Sequence, residues 1–245
     1  MHRTGDPFIL ALDTSTELMT LAVEGPRGLM SEQSPGGSQA SAHLLEQVAA
    51  LMADQGLVWG DLHAIAFGRG PGAFTGLRTA CAVAQGLAFG AGLPVLAIDS
   101  LLAVAETYRM RRVAQGHAWT TGEEVGVVAD ARMGQVYACC YRWCGEHWVS
   151  THEVRVCDPQ WQALGWDRWP QAVVGSGVSL LSLPPDLPSC EMGMDGAGLM
   201  RAAHQAWSLH QASAADNALP VYVRDKVALT SAERAGLGAA HVREA

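Results

Sequence analysis

One pattern occurs twice in this chain, and it restricts the fold more than any other feature. Residues 8–12 are an apolar run that Asp13 ends; Thr14-Ser15-Thr16 then turn the chain, and residues 19–23 read as a second strand. A hairpin turn, Gly25-Pro26-Arg27-Gly28, leads to a third strand at 29–32. Nearly half the chain later, residues 125–129 are apolar and Asp130 ends them. Arg132-Met133-Gly134 turn the chain, residues 136–143 return, Gly145 turns again and Trp148 begins a third strand. Two such starts predict a duplicated α/β architecture of two similar lobes.

Residues 68–78, Gly-Arg-Gly-Pro-Gly-Ala-Phe-Thr-Gly-Leu-Arg, hold four glycines and a proline between an apolar run and a long uncharged run. This composition belongs to neither a strand nor mid-helix. It predicts a tight turn from a buried strand into the first turn of a helix, a geometry that suits an anion, a phosphate or a close backbone partner. A Walker loop would need a lysine, and none is present. The dinucleotide fingerprint is matched by Gly68, Gly70 and Ala73, but no acidic residue follows before Asp99. The other reading is a strand-to-helix turn that packs tightly and binds nothing. Asp13 and Asp130, with Ser15, are the nucleotide-site candidates: aspartates at such strand ends can hold a hydrated cation below phosphates. Equally, each can cap its own turn. Asp13→Ala is expected to leave folding and partner binding nearly intact if the aspartate is not structural, whereas a large loss of thermal stability would favour the turn-capping account.

Two helices are expected near 41–53 and 75–89. The first carries Leu44, Leu45, Val48, Leu51 and Met52 on one face. The second is rich in small residues, among them Ala80, Cys81, Ala82, Ala84, Gly86 and Ala88. Such a helix either packs tightly on its own sheet or meets another chain, and Ala84→Arg tests which. Asp99-Ser100 read as the N-cap of a third helix.

The chain has 245 residues, 49% hydrophobic and 16% charged, with formal net charge −8. An acidic chain without a basic stripe is a poor autonomous nucleic-acid binder. Its one dense basic cluster, Arg109, Arg111 and Arg112, fits a solvated helix end. Six cysteines form no C-x-x-C pair and read as small core residues in a reducing, cytoplasmic compartment. The apolar N-terminal run is too short for a signal peptide. Residues 79–98 are long enough to span a membrane, but Gln85, Gly86, Gly90, Gly92 and Pro94 make them a buried helix, a turn and a strand. No two of the nine histidines stand four apart, and no Gly-x-Ser-x-Gly elbow exists, so neither a metal site nor a hydrolase nucleophile is expected. Trp161, Trp166 and Trp169 have no basic cluster beside them, only Arg168 next to Asp167, and are expected to pack against their lobe rather than stack on bases.

Several of these stretches resemble TsaB proteins. Ile9-Leu10-Ala11-Leu12-Asp13-Thr14-Ser15-Thr16 resembles the family's opening, and Gly70-Pro71-Gly72-Ala73-Phe74-Thr75-Gly76-Leu77-Arg78 its most distinctive motif, with Ala73 where the family has serine. Ala84-Gln85-Gly86-Leu87-Ala88, Asp130-Ala131-Arg132-Met133 and Tyr222-Val223-Arg224 are similar too. The resemblance implies an α/β, actin-like ATPase (ASKHA) fold of two ribonuclease-H-like lobes. Expected divisions are residues 1–104, 105–215 and a C-terminal segment, 216–245, that returns to the first lobe and frays at its tail. It implies a non-catalytic subunit that partners TsaD and TsaE in placing threonylcarbamoyl on the adenosine beside the anticodon of tRNAs reading A-starting codons. TsaD's metal is held by a His-x-x-x-His motif that this chain lacks. tRNA would be met only through the complex, with ATP or ADP and magnesium acting there rather than held tightly by this chain. Alone, the chain would form a homodimer. The partner-facing residues are expected to be Leu44, Leu45, Val48, Leu51, Phe74, Leu77, Ala80, Cys81 and Ala84. The rival reading is an ATPase or kinase of the same fold acting alone through Asp13 and the glycine-rich turn.

Overall fold

The structure is a computed structural model and describes residues 7–36 and 40–224. The first lobe runs β1 (Ile9–Asp13), β2 (Leu18–Gly25), β3 (Gly28–Pro35), α1 (Ala40–Gln55), β4 (Ala64–Gly70), α2 (Phe74–Ala91), β5 (Val95–Asp99) and α3 (Ser100–Ala114). The second runs β6 (Glu124–Arg132), β7 (Gln135–Trp143), β8 (Trp148–Ser150), β9 (Arg155–Cys157), α4 (Trp161–Leu164), β10 (Ala172–Val174), β11 (Ser189–Cys190) and α5 (Gly196–Ser208).

The strand orders make the duplication explicit. The first sheet is ordered β3-β2-β1-β4-β5 and the second, read from its other edge, β8-β7-β6-β10-β11. In each, the opening strand pairs antiparallel with the next (β1 with β2, β6 with β7) and parallel with the strand on its other side (β4, β10). β1 is buried at all five positions because both faces of its sheet are covered. Ile9 and Ala11 pack on one side, Leu10 and Leu12 on the other. Where the first lobe has α1 and α2, the second has only the single turn α4 and a 3-10 turn at Val178–Leu180.

The helix that closes each lobe packs between the two sheets. Leu101, Ala103 and Ala105 of α3 and Leu199, Met200 and Ala203 of α5 share one core with Ile9 and Leu96 of the first sheet and Val125, Val127 and Tyr141 of the second. Asp99 caps α3, accepting from Leu101 N at 2.9 Å, and Asp195 caps α5, accepting from Gly198 N at 2.9 Å. α3 is continuous from Ser100 to Ala114, so a division at 104/105 falls inside a helix. The C-terminal segment lies on the first lobe at Val221, whose N–H donates to the Arg69 carbonyl at 2.8 Å. The tail beyond 224 lies outside the described residues.

The basic cluster is taken up locally. Arg109 binds Glu106 through two hydrogen bonds and covers the Trp143 ring, Arg111 pairs with Asp195, and Arg112 lies over Trp119. The second-lobe tryptophans pack together, Trp166 in the core and Trp161 stacked on Trp169 with centroids 4.0 Å apart. No helix among the described residues is long and apolar enough to cross a membrane.

Candidate functional site

The glycine-rich stretch delivers β4 into α2, as its composition requires. Its glycines, however, face the chain itself. A methyl group on Gly68 would stand 1.6 Å from the Asp13 carboxylate, and one on Gly72 would stand 2.5 Å from the Ser15 carbonyl. The turn after β1 is clasped against the start of α2: Ala73 N–H donates to the Ser15 carbonyl at 2.7 Å, and Thr14 Oγ1 donates to the Gly76 carbonyl at 2.6 Å. The close backbone partner is therefore residues 13–15 of the same chain.

Asp13 is buried, at 1% exposure. Its Oδ1 accepts from Ser15 N–H at 2.6 Å and its Oδ2 from Ser100 Oγ at 2.7 Å, while Ser100 Oγ also accepts from Gly70 N–H at 3.2 Å. Ser15 is buried as well. These groups are satisfied by one another. Asp130, the equivalent in the second lobe, accepts from Arg132 N–H at 2.7 Å and pairs with the Arg132 side chain. Each aspartate thus caps its own turn. The condition on which Asp13→Ala would leave folding intact is not met: the change orphans the buried Ser15 N–H and empties the space over Gly68, and each orphaned buried group costs roughly 1–3 kcal/mol.

Burial raises the Asp13 carboxyl above its usual value of 3.8, against the opposing effect of its bonds to Ser15 and Ser100. Folded protein then binds more protons than unfolded in the window above 3.8, so this group's contribution to stability falls as pH rises through it. Asp13→Asn keeps an acceptor for Ser15 and removes the charge. Its melting temperature is expected to rise relative to wild type between pH 4 and pH 7, by about 2–4 °C per kcal/mol of charge penalty. Melting curves at both pH values check this, and a gap independent of pH would contradict it. Burial also pushes the Cys81 and Cys139 thiols up to about 11, which suits core residues and not nucleophiles. Among the described residues no cluster of three His, Cys, Asp or Glu side chains could hold a metal ion.

Between the lobes lies a cavity of about 190 Å³, lined by Phe74 and Leu77 of α2, Met133 and Tyr137 of the second lobe, and Val221 and Tyr222 of the C-terminal segment. Arg132, which also lines it, pairs with Glu17 of the first lobe. The lobes are also joined in the interior, where Tyr141 donates to Asp99 at 2.6 Å.

The expected partner-facing residues divide between core and surface. Leu44, Val48, Leu51, Ala80, Cys81 and Ala84 are buried in the core between α1, α2 and the first sheet, and Leu77 is buried too. Their placement on an exposed face is corrected. Leu45 is exposed, and Phe74 is half-buried against Tyr222. The outward face of α2 is carried instead by Ala82, Gly86, Phe89 and Gly90, with Phe89 83% exposed.

Comparison with known proteins decides the family. The TsaB protein of Escherichia coli K12, a tRNA threonylcarbamoyladenosine biosynthesis protein, is 32% identical over 239 residues, covering 90% of this chain and 96% of that one. The chain belongs to the TsaB family. The Haemophilus influenzae TsaB is 39% identical over 131 residues, covering 53% of this chain and 51% of that one. A family model described as "TsaD: tRNA N6-adenosine threonylcarbamoyltransferase" matches residues 36–173. The solved structure of YeaZ from Pseudomonas aeruginosa superposes with a TM-score of 0.74 at 32% identity, covering 88% of this chain and 99% of that one. Family and topology together give this TsaB-family chain the actin-like fold of two ribonuclease-H-like lobes.

Proposed function

We propose that this chain is the non-catalytic, activating subunit of the bacterial complex that installs threonylcarbamoyl on tRNA, docking on TsaD through the outward face of α2. Full-length similarity to a tRNA threonylcarbamoyladenosine biosynthesis protein supports the pathway. The observation that carries the docking face is the pair Gly86 and Gly90. Both lie within α2, and a side chain on either would point into open space. At Gly86, exposed and well inside the helix, glycine destabilises by roughly 0.5–1 kcal/mol relative to alanine; Gly90 lies in the last turn, before the Gly92 cap. Nothing among the described residues requires them, whereas a second helix crossing closely at Ala82, Gly86 and Gly90 would. The exposed Phe89 beside them supports the same face. A second copy of the chain would use it in a homodimer. The satisfied, closed Asp13–Ser15–Ser100 cluster supports a subunit without its own nucleotide chemistry, leaving ATP and magnesium, TsaE and tRNA to be engaged through the complex.

Gly86→Leu tests this reading. Leucine favours the helix, so the isolated variant is expected to melt at or slightly above wild type. Its complex with TsaD should be lost in size-exclusion chromatography, and so should stimulation of threonylcarbamoyl transfer by TsaD and TsaE. The chain without TsaD should form no product. A variant that binds and stimulates normally would show the face is misplaced, and product formed by the purified chain alone would overturn the non-catalytic role.

A further inference from the structure

Both sheets contain a bulge at the same end of the molecule. In β4 the pairing with β5 runs Gly68 to Ile98 and then Gly70 to Asp99, so Arg69 is passed over. In β6 the pairing with β7 runs Asp130 to Val136 and then Arg132 to Gln135, so Ala131 is passed over. A bulged residue is left without its ladder partner. The C-terminal segment takes up both carbonyls: Val221 N–H donates to Arg69 O at 2.8 Å, and Arg224 Nη2 donates to Ala131 O at 3.0 Å. Between the two anchors the Tyr222 ring lies 5.0 Å from the Phe74 ring, and its hydroxyl accepts from Arg78 Nε at 3.1 Å. The Arg78 guanidinium covers Phe74 at 3.9 Å.

This segment lines the cavity with residues 221–224, away from the buried packing of α3 on α5, to which it contributes only Val223. It is held by few buried groups: Leu219 is 63%, Val221 37% and Tyr222 47% exposed. Segments anchored in this way open locally at low free energy, well before the core does. The three stretches involved are the glycine-rich motif, Asp130-Ala131-Arg132-Met133 and Tyr222-Val223-Arg224, three of those that carry the family resemblance.

We propose that residues 221–224 are a releasable latch that fixes the closure of the two lobes by fastening the bulge at Arg69 to the bulge at Ala131. With the latch on, the cavity between Phe74, Leu77, Met133 and Tyr137 is covered. With it off, the lobes open about the α3–α5 join. Because Tyr222 also holds Phe74 and Arg78 in the first turns of α2, the latch regulates the helix assigned to the partner; that consequence alone rests on the proposed docking face.

Hydrogen–deuterium exchange on the full chain without partner tests the latch, so its outcome stands whatever docks on α2. Val221→Pro deletes the donor at the first anchor, and Arg224→Ala deletes the donor at the second. A latch needs both ends. Each single variant is expected to speed exchange about tenfold in both the 69–78 and the 130–137 turns, the effect of losing one hydrogen bond. The double variant should add little to either single one. Arg224→Lys, which keeps a donor, should restore much of the protection. Exchange in β1 and in residues 125–129 of β6, ahead of the bulge, should not change, which separates unlatching from unfolding. If each variant loosens only its own anchor, or if the two effects add, the segment is two independent contacts and the proposal fails. Should Val221→Pro fail to fold, Tyr222→Ala against Arg224→Ala provides the same comparison.

Discussion

Gly76→Ala is expected to destabilise the protein by about 3 kcal/mol or more. Helix propensity alone predicts the opposite sign, since alanine is favoured over glycine by roughly 1 kcal/mol in a helix interior. Geometry overrides it. A methyl group on Gly76 would stand 1.8 Å from the Thr14 carbonyl oxygen and 2.9 Å from its carbon. Neither side can yield cheaply. Thr14 follows a fully buried strand, and its hydroxyl is bonded to the Gly76 carbonyl. Relief requires α2 to move off the β1 turn, breaking that bond, the Ala73–Ser15 bond and the packing that holds Asp13 beneath Gly68. For a chain of this size the melting temperature should fall by roughly 6–12 °C. Gly86→Ala, in the same helix but facing open space, is the control and should raise it by a few degrees, about 0.5–1 kcal/mol. A Gly76→Ala variant that melts at or above wild type would show that the clasp is not tight.

The parts of this structure that were legible in the sequence are those set by local chemistry. The strand, aspartate and turn repeated in each half produce two sheets of the same order, because a strand buried on both faces must be apolar throughout and must end where a polar residue caps the turn. Asp99 reads as an N-cap and is one. The direction faced by α2 was not legible. Ala80, Ala84 and Ala88 point inward while Ala82, Gly86 and Gly90 point outward, and residues this similar leave no amphipathic contrast to orient the helix. The role of Asp13 was hidden for a different reason: a buried cap and a cation ligand use the same residue at the same strand end. Only the proximity of Gly68 and Ser100, far away in sequence, distinguishes them. The bulge at Ala131 gives no sequence signal, whereas the one at Arg69 is flanked by Gly68 and Gly70, which read in the sequence as part of the turn.

Ala84→Arg is expected to have the largest effect of all, because Ala84 has no exposure and lies in the core with Leu10, Leu12, Ile65 and Phe67. A guanidinium there would displace close-packed side chains and bury a charge with no carboxylate beside it, since Asp13 is closed off by Ser15 and Ser100. Overpacking and an unpaired buried charge each cost several kcal/mol, about 5 kcal/mol or more together. That approaches the whole stability of an ordinary domain, roughly 5–15 kcal/mol. The variant should be unfolded or insoluble, or melt at least 10–20 °C lower. Ala82→Arg, two residues earlier, places the same side chain on the opposite face, where its charge stays in water. It should melt within about 0.5 kcal/mol of wild type. It should also lose the complex with TsaD, because the long side chain then stands where another helix must approach. Circular dichroism melting and co-elution of the two variants, side by side, separate core from contact face. If Ala84→Arg folds normally, α2 does not pack on its sheet as described. If Ala82→Arg still co-elutes with TsaD, the partner sits elsewhere.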